Sequence, residues 1–510
     1  MFCYGDAFTA RRLDLLIAIA LVALCSAIYA QSAAFEFVGY DDEGYVEHNP
    51  VVSRGLAPGI LNYAASAYVG GNWHPLTVFS HALDVEVFGL EAGGHHAENV
   101  LFHIVATLLL FAVFRKATGT VWRSALVAAL FAVHPLHVEV VSWVSQRKTL
   151  LCAVFGLGAL YCYIDYARIG GARRLAAVVG LLTASLLAKP MLVTFPLLVA
   201  LFDVWPLGVV SSWQQARERA LAKLWLFVPV VGVGAATWVA QRSSGAMAPL
   251  DVEVFFTVSI PNAVLAAGWY AAKFVWPVDL AVHYPHPFLP QSGGVAPGVF
   301  AIAASAVFIA AASFSAFALR KRTPWLAVAL AWWAIALLPV IGLVQVGTQG
   351  VADRYSYIPM IGGFVVFAWG LEELRSRLAI PTNAVAALAV GVVVGLSFIS
   401  HQQVSHWQNS FSLYSRAVDV SPRDVAMLFN LGNAVHSDGR VDEAETLYRR
   451  ALAIRPSHSF TQLNLAELLR ERGVPDDRAE ASALYESVLR SRPGNRRAVA
   501  GLAALELKVP

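Results

Sequence analysis

Long apolar runs are the strongest constraint on this chain, because they recur from residue 13 to residue 400. A helix needs about 20 mainly apolar residues to cross the hydrocarbon core of a bilayer. The runs that approach this length cover residues 13–30, 97–114, 124–141, 149–166, 175–188, 191–207, 224–241, 296–319, 325–345, 357–371 and 381–400. Together with a hydrophobic content of 57%, they predict an all-α, polytopic membrane helix bundle of about 11 spans over residues 1–400.

Clusters of lysine and arginine predict which helix ends face the cytoplasm. They lie at Arg11/Arg12, Arg115/Lys116/Arg123, Arg168/Arg173/Arg174, Arg217/Arg219/Lys223, Arg320/Lys321/Arg322 and Arg375/Arg377. All of these clusters lie on the cytoplasmic side only if residues 262–278 form an interfacial or re-entrant helix instead of a span. The predicted outer face then holds the loop 31–96, the turns near 142–148 and 189, the region 242–295, the loop 346–356 and the chain after residue 400. The first run favours an uncleaved helix over a cleaved signal peptide.

Charged residues are concentrated after residue 400, where residues 401–510 hold 14 of the 37 Lys and Arg and 13 of the 34 Asp and Glu. In this region Pro422 and Pro456 are 34 positions apart, which is the period of a tetratricopeptide repeat. Gly432 and Tyr448 stand where the two helices of such a repeat pack together. Residues 401–510 are therefore predicted to form a tetratricopeptide-repeat α-solenoid of about three units plus a cap. Such a stack offers a concave groove to a peptide, or it serves as a stabilising cap without a partner.

The loop 31–96 is acidic, with eight Asp and Glu residues and one basic residue, Arg54. Its segment Tyr40-Asp-Asp-Glu43 lies shortly after the first apolar run. A carboxylate in reach of a hydroxyl can take its proton as the bond to a leaving group breaks. Asp41 and Asp42 are therefore candidates for a catalytic base. The alternative is that either residue is an Asx-type cap where the loop becomes a helix.

Isolated cations beside helix ends on the predicted outer face are candidates to bind a donor phosphate, since fixed cations stabilise charge on a leaving group. This set consists of Arg147, Lys148, Lys189 and Arg354, with His74 as a hydrogen-bond donor. Glu139, His134 and Tyr355 are expected to support it. Structural alternatives exist, because Glu139 can pair with Arg147 or Lys148, Lys189 can extend its amine to the membrane surface, and Asp353 can pair with Arg354.

Eight of the 14 histidines lie within residues 48–137, which raises the question of a divalent metal. Their spacing matches no standard zinc motif, so we assign no metal ligand and predict no cofactor, with a divalent metal left as the open alternative. The net charge of +3 and the lack of a basic run with interleaved aromatic residues argue against a nucleic-acid partner. The sequence contains no P-loop, GxGxxG, GxSxG or HExxH motif.

An ordered set of motifs over nearly the whole chain resembles the transmembrane and tetratricopeptide-repeat-containing protein family. The motifs are Tyr40-Asp-Asp42, Trp73-His-Pro-Leu76, His95-His96, His134-Pro-Leu-His-Val-Glu139, Gln146-Arg-Lys148, Lys189-Pro190, Trp276-Pro-Val-Asp279, Tyr284-Pro-His-Pro287 and Asp353-Arg-Tyr-Ser-Tyr357, followed by the repeats. The resemblance implies a GT-C glycosyltransferase fold. Animal members of the family are linked to protein O-mannosylation from a dolichyl-phosphate sugar in the endoplasmic reticulum.

By the same resemblance, an acidic residue of the first outer loop is the catalytic base, which falls on Asp41 or Asp42. The broader polyprenyl-phosphate-sugar transferases often carry a Lys-Pro-Pro-type turn in the first loop and a lysine at the outer end of the fifth span. Lys189 fits the second feature. His74 stands where the first feature has lysine, so the resemblance does not define the role of His74.

We therefore expect an inverting GT-C glycosyltransferase that moves a sugar from a polyprenyl-phosphate carrier to a hydroxyl, with Ser or Thr of a protein as the expected acceptor. Asp42, with Asp41 beside it, is the expected base, and the repeats are expected to bind the protein or peptide acceptor. One alternative is a non-catalytic membrane scaffold that recruits a partner through its repeats, and another is transfer to a glycan or lipid. The Ala-, Arg- and Gly-rich composition suggests a bacterial inner membrane, with undecaprenyl phosphate as carrier and the repeats in the periplasm. A eukaryotic chain would lie in the endoplasmic reticulum membrane.

Overall fold

The computed structural model describes residues 4–243, 252–289, 292–344 and 347–506. The chain divides into two compact units. Unit 1 comprises residues 1–280, 298–347 and 352–409, and unit 2 comprises residues 281–297, 348–351 and 410–510. Within the described residues, the β-strands form a single two-stranded sheet and all other long elements are helices. The all-α fold class is thus confirmed.

The helices of unit 1 follow the apolar runs, with short connections between most of them. In chain order they are α1 (Tyr4–Tyr29), α2 (Ile60–Ser66), α3 (Pro75–Phe88), α4 (Ala92–Thr118), α5 (Val121–Val133), α6 (Val138–Ser142), α7 (Arg147–Ile169), α8 (Ala172–Ala188), α9 (Phe195–Val204), α10 (Trp213–Ala222), α11 (Leu224–Ser243), α12 (Val252–Val254), α13 (Ile260–Val275), α14 (Val299–Leu319), α15 (Pro324–Leu337), α16 (Met360–Leu378) and α17 (Thr382–Ser405).

Seven helical segments in the described part of the chain are long and apolar enough to cross a membrane. They are Arg11–Ala34, Ala92–Thr118, Val144–Ile169, Leu224–Ser243, Val252–Val275, Val299–Leu319 and Thr382–Ser405. An eighth would be the bent pair Val121–Val133 and Pro135–Ser142, and two apolar helices, Pro190–Val204 and Pro324–Leu337, are shorter. The polytopic helix bundle is confirmed, whereas the count of eleven spans stays a prediction.

The segment on which the predicted topology depends, residues 262–278, lies in the longer helical stretch Val252–Val275. Near the end of the preceding helix, the Gln241 side-chain amide is 3.5 Å from Asn72 Oδ1 in the loop 31–96. At the end of α13, His134 Nε2 is 3.2 Å from the Phe274 carbonyl oxygen. Because Asn72 and His134 both lie on the predicted outer face, these contacts place the ends of α11 and α13 on one side of the bundle. That arrangement agrees with the predicted topology, in which residues 262–278 do not cross the membrane, although Val252–Val275 is long enough to span.

A proline bend shapes the outer end of the bundle. The helical direction changes by 56° between α5 and the stretch Pro135–Ser142, because proline lacks a backbone N–H and cannot continue the helical hydrogen bonds. His134 Nδ1 accepts from the Leu136 backbone N–H at 3.3 Å. The His134 ring therefore supports the turn after the bend through Nδ1, while its Nε2 contacts the end of α13. The bend leads directly to Glu139 and to the turn before α7.

The loop 31–96 has an apolar core of its own. Tyr45, Val46, Val52 and Val78 are among its buried members, and Val144 from the turn before α7 belongs to the same cluster. Burial of apolar surface contributes about 25 cal/mol per Å², so this cluster holds the loop against the start of α7. The acidic segment of the loop is thereby fixed next to residues 144–148.

Unit 2 is a stack of helices with two segments from earlier in the chain. Its helices are α18 (Ser410–Val420), α19 (Val425–Ser437), α20 (Val441–Ile454), α21 (Ser459–Arg472), α22 (Pro475–Ser491) and α23 (Arg496–Glu506). A Cβ added at Gly432 in α19 would lie 2.5 Å from the Tyr448 ring in α20, so these helices approach as closely as the repeat pattern predicts.

Two short strands of unit 2, which precede the repeats in the sequence, pair with each other. Strand β1 (Tyr284–Pro285) runs antiparallel to β2 (Gln349–Val351). Asp424 caps α19 by accepting from the backbone N–H groups of Ala426 and Met427. The same carboxylate lies 2.6 Å from His283 Nδ1. The first residues of the repeat stack are thus bonded to a segment that precedes them by 141 positions.

Candidate active site

The two adjacent aspartates of the first loop have different environments. Asp42 is fully buried. Its carboxylate accepts from the Val38 N–H at 3.1 Å, from the Ser145 N–H at 2.9 Å and from the Ser145 hydroxyl at 2.5 Å. Burial raises the pKa of Asp42 to about 6, and the hydrogen bonds from Ser145 and Val38 oppose that rise. Asp42 thus ties the loop to the turn before α7.

Asp41 carries the accessible carboxylate of the pair. Its side chain is 41% exposed, and its Oδ2 lies 3.6 Å from Lys148 Nζ. Asp42 begins a short π-helical turn, Glu43–Glu47, but its side chain makes no capping hydrogen bond there. The Asx-cap alternative therefore does not describe Asp42. A substrate hydroxyl could reach Asp41, whereas Asp42 is covered by protein.

Lys148 lies against the loop at the start of α7. Its ammonium group is 4.4 Å from the centre of the Tyr45 ring and 5.6 Å from that of Trp143. A cation over an aromatic face is stabilised by the negative potential of that face. The side chain is only 7% exposed and pairs with Asp41. These contacts hold a cation and the accessible carboxylate side by side.

Lys189 lies at the junction between α8 and the short turn Pro190–Thr194. Its ammonium group donates to Thr149 Oγ1 at 2.9 Å and to Gln146 Oε1 at 3.5 Å. Among the described residues, no carboxylate lies within ion-pair distance of Lys189. Burial lowers the pKa of Lys189 to about 7, and Lys148 and Arg354 add to that effect. The three cations therefore lie close enough to repel one another, which favours an anionic ligand.

Arg354 is held by Glu139, which is 2% exposed. The carboxylate accepts from the Arg354 guanidinium at 2.5 Å and from the Arg354 backbone N–H at 2.6 Å. The guanidinium also lies 5.5 Å from the Trp143 ring centre and 5.1 Å from that of Tyr355. Glu139 and Tyr355 are thus placed to orient Arg354, and their supporting role stays a prediction. The predicted pairing of Glu139 with Arg147 or Lys148 is not the one observed.

His74 is buried at the N-terminus of α3 and adjoins the same group of cations. Its Nδ1 lies 3.2 Å from the Tyr45 hydroxyl. Burial lowers the pKa of His74 well below its ordinary value, and Lys148 and Lys189 lower it further. The ring is therefore neutral at pH 7 and can donate one hydrogen bond, as a phosphate ligand would require.

Arg147 is directed away from these cations, because consecutive residues on a helix point about 100° apart. Its guanidinium pairs with Asp84 at 2.7 Å and also donates to Asn99 Oδ1, the Ser80 hydroxyl and the His95 carbonyl oxygen. The side chain is fully buried. Protein groups therefore occupy the Arg147 donors that a phosphate would need, so the structure places Arg147 apart from Lys148, Lys189 and Arg354, and its binding of the donor stays a prediction.

One group in the described residues could hold a metal ion by its geometry alone. Ligand atoms of His81, Asp84 and His95 all lie within 4.8 Å of one another. Burial would raise the pKa of Asp84, but His95 and Arg147 outweigh it and hold the pKa below its usual range. A cation bound here would face the Arg147 guanidinium, so this group offers a poor metal site. His134, also predicted to support the site, is used by the bend after α5.

Ser145, Tyr45 and Trp143 are parts of the site that the sequence analysis did not assign. Ser145 makes two hydrogen bonds to Asp42 across 103 positions of sequence. The only sequence feature that points to Ser145 is its position two residues before Arg147. Because serine is common in turns, that position does not predict a role in the site. The aromatic rings could have been suspected, since Tyr45 and Trp143 flank the acidic and basic motifs.

The structure is that of a polytopic helical membrane protein with a compact cluster of cations at one end of its bundle, followed by a repeat unit. A tetratricopeptide repeat model matches residues 399–459. The chain is 26% identical to the Drosophila melanogaster protein O-mannosyl-transferase Tmtc1, over 78% of this chain and 56% of that protein. It is 23% identical to the Caenorhabditis elegans protein O-mannosyl-transferase F38B6.6, over 86% of this chain and 62% of that protein. The resemblance to the transmembrane and tetratricopeptide-repeat-containing family is thereby confirmed: the chain is similar to protein O-mannosyl-transferases along most of its own length.

The chain spans less than two thirds of the length of these relatives. Among solved structures, the Archaeoglobus fulgidus oligosaccharyltransferase with a tethered acceptor peptide is similar with a TM-score of 0.44 and 15% identity. That similarity covers 77% of this chain and 55% of the archaeal chain.

Proposed function

We propose that this protein is an inverting GT-C glycosyltransferase that moves a sugar from a polyprenyl-phosphate carrier to a Ser or Thr hydroxyl of a protein. The observation that carries this proposal is the half-exposed Asp41 carboxylate beside Lys148, with Lys189 and Arg354 close by. A base next to several cations suits a reaction in which a neutral hydroxyl attacks and a phosphate leaves.

In the proposed reaction Asp41 is the base and the three cations bind the leaving phosphate. Asp41 takes the proton of the acceptor hydroxyl while its oxygen forms a bond to the anomeric carbon of the sugar. The bond from that carbon to the phosphate oxygen breaks on the opposite face, which inverts the configuration. The released polyprenyl phosphate keeps the electron pair, and Lys148, Lys189 and Arg354 stabilise its charge. Arg147 has no part in this set.

Asp42 is proposed to position Asp41 and not to act as the base. Its three hydrogen bonds to Val38 and Ser145 occupy the carboxylate and are satisfied without substrate. The sequence favoured Asp42 with Asp41 beside it. The different burial of the two side chains reverses that preference.

The repeats are proposed to bind the acceptor peptide. Unit 2 has an open polar pocket of about 290 Å³. In it, Asn433 Oδ1 accepts from the Tyr448 hydroxyl at 2.8 Å and from the Asn464 amide at 2.7 Å. Arg497 and Glu467 line the same pocket and pair with each other. Such a mixed set of donors and acceptors suits the backbone amides of an extended peptide.

The proposed location is the outer face of a membrane, which is the periplasmic side of the inner membrane in a bacterium or the lumenal side of the endoplasmic reticulum. The carrier would be undecaprenyl phosphate in the first case. The positions of the basic clusters at the other helix ends support this orientation.

Glycan mass spectrometry of envelope proteins tests the proposal in cells that carry wild type, Asp41→Asn or a deletion. We expect a hexose on specific Ser or Thr sites in wild type and its loss in both other strains. Glu91→Gln is the matched control, because Glu91 is an exposed carboxylate of the same loop. Since Asp41 is half exposed, its variant should keep normal abundance. Unchanged glycosylation in the deletion strain would refute the enzyme and favour the scaffold alternative.

A further inference from the structure

A second candidate binding site lies in unit 1, between α1, α5, α16 and α17. These helices enclose a groove of about 640 Å³ that is lined almost wholly by apolar side chains. Its walls include Leu21 of α1, Leu126 of α5, Leu371 of α16 and Val390 of α17. The site proposed for sugar transfer uses none of these residues. Because the groove lies between predicted spans, the molecules available to fill it are membrane lipids.

One end of the groove is polar and carries a net positive charge. Arg123 in the first turn of α5 and Arg375 in the last turn of α16 line it together with Glu372. Arg375 is neutralised by Glu372, to which it donates two hydrogen bonds of 2.8 and 2.9 Å. The Arg123 guanidinium lies 5.4 Å from the Trp369 ring centre. Among the described residues, no carboxylate comes within ion-pair distance of Arg123, and the charges of Arg123, Arg375 and Glu372 together leave one net positive charge at this end.

The start of α17 adds to this positive end. Thr382, its first residue, lines the groove. The first N–H groups of a helix and its dipole favour a negative charge at that position. Arg123 and Thr382 come from helices far apart in sequence, yet both adjoin the same apolar groove. A phosphate bound there would meet a guanidinium and a helix N-terminus.

The length of the groove indicates the kind of lipid. On α17 its lining runs from Thr382 to Val394, which is roughly 18 Å along a helix. Half of a bilayer's hydrocarbon core is about 15 Å thick. The groove therefore accepts the acyl chains of one leaflet, whereas a long polyprenyl tail would extend beyond it. The polar end also lies at the helix ends opposite to Glu139 and Arg354.

We propose that this groove binds an anionic glycerophospholipid, with its phosphate on Arg123 and its acyl chains between α16 and α17. Only 6% of the apolar window of α17 is buried within the protein, so a bound lipid would supply much of the packing of this helix. The lipid would belong to the leaflet on the predicted cytoplasmic side, where the basic clusters of the chain lie. This site is independent of the proposed sugar transfer.

Native mass spectrometry of the purified full chain tests this proposal, with equal amounts of phosphatidylglycerol and phosphatidylcholine added. We expect wild type to retain phosphatidylglycerol preferentially. Arg123→Gln should reduce that preference roughly tenfold, the effect of one charge-assisted hydrogen bond. Arg322→Gln is the control, because Arg322 is an exposed cation of the same membrane face that does not line the groove. Its preference should equal that of wild type.

A second variant separates the groove from general lipid contact. Ala386 is an exposed residue of α17 that lines the groove, so Ala386→Phe should fill the space without disturbing a packed core. We expect fewer retained lipids in this variant, and a melting temperature equal to that of wild type when both proteins are stripped of lipid. Equal losses of selectivity in Arg123→Gln and Arg322→Gln, or full lipid retention in Ala386→Phe, would overturn the proposal. Displacement of phosphatidylglycerol by undecaprenyl phosphate through Arg123 would also overturn it, since the occupant would then be the carrier.

Discussion

Replacing Lys189 by methionine should stabilise the free protein and abolish its response to a polyprenyl phosphate. Lys189 is a partly buried ammonium group without a carboxylate partner among the described residues, and Lys148 and Arg354 repel it. Methionine has a similar length and no charge, so it removes this repulsion. The same substitution removes a cation that the donor phosphate would need. Stability and ligand binding should therefore change in opposite directions.

The size of the stabilisation follows from the pKa of Lys189, which is lowered from 10.5 to about 7. Since a tenfold change in acid strength corresponds to about 1.4 kcal/mol, the upper limit is about 5 kcal/mol. Water screens a partly exposed side chain, so we expect a gain of about 1–3 kcal/mol at pH 7. Between pH 7 and 10.5 the folded wild type binds fewer protons than the unfolded chain. Wild-type stability should thus rise with pH in this window, and the advantage of the variant should shrink.

Thermal unfolding of both proteins in detergent at pH 7 and pH 9, with and without undecaprenyl phosphate, measures these effects. We expect the ligand to raise the melting temperature of wild type only. Lys223→Met is the control, because Lys223 pairs with buried Asp203 at 2.6 Å. Its loss should destabilise the protein by about 3–5 kcal/mol. A Lys189→Met variant that is less stable than wild type, with a difference independent of pH, would refute this reasoning.

Three further variants test other parts of the structure. Arg147→Gln leaves buried Asp84 without its arginine partner, with His95 still beside it, and should lower the free energy of unfolding by about 3–5 kcal/mol; recovery of part of that loss in the double variant with Asp84→Asn, measured by thermal unfolding, would identify the ion pair as the cause. Asp42→Asn directs an amide group at buried N–H or O–H donors, so it should lower stability by about 1–3 kcal/mol as well as reduce glycosylation; an unchanged melting temperature would contradict the positioning role. Gly432→Ala places a methyl group 2.5 Å from the Tyr448 ring and should destabilise the repeats by about 1–3 kcal/mol, which hydrogen exchange of residues 425–454 can measure against the control Gly494→Ala, where an added Cβ has no neighbour within 4 Å.

The sequence predicts the helix bundle, the repeats and most of the residues that meet at the site. Hydropathy and basic clusters depend on local composition, so they can be read without a structure. They were enough to bring the loop 31–96, Lys148, Lys189 and Arg354 to one face. Distant motifs can meet on one face because each loop of a polytopic protein lies on one of only two sides of the membrane.

The distinctions between adjacent residues could not be predicted. Asp41 and Asp42 differ because Ser145, 103 positions away, bonds to only one of them. Arg147 and Lys148 differ because consecutive residues of a helix point about 100° apart and so contact different neighbours. Sequence motifs contain both members of each pair, whereas the direction of a side chain depends on tertiary packing.

The bond between His283 and Asp424 limits how the repeats of this protein can be exchanged. The chain passes between the two units at residues 280/281, 297/298, 347/348, 351/352 and 409/410. A fragment of residues 410–510 would lack β1, β2 and His283, whose ring contacts Asp424 at the N-terminus of α19. Recombination that joined a foreign set of repeats at residue 410 would thus leave two segments without their partners. If the repeats bind the acceptor as proposed, acceptor specificity should evolve by substitution within the repeats more readily than by replacement of the whole stack.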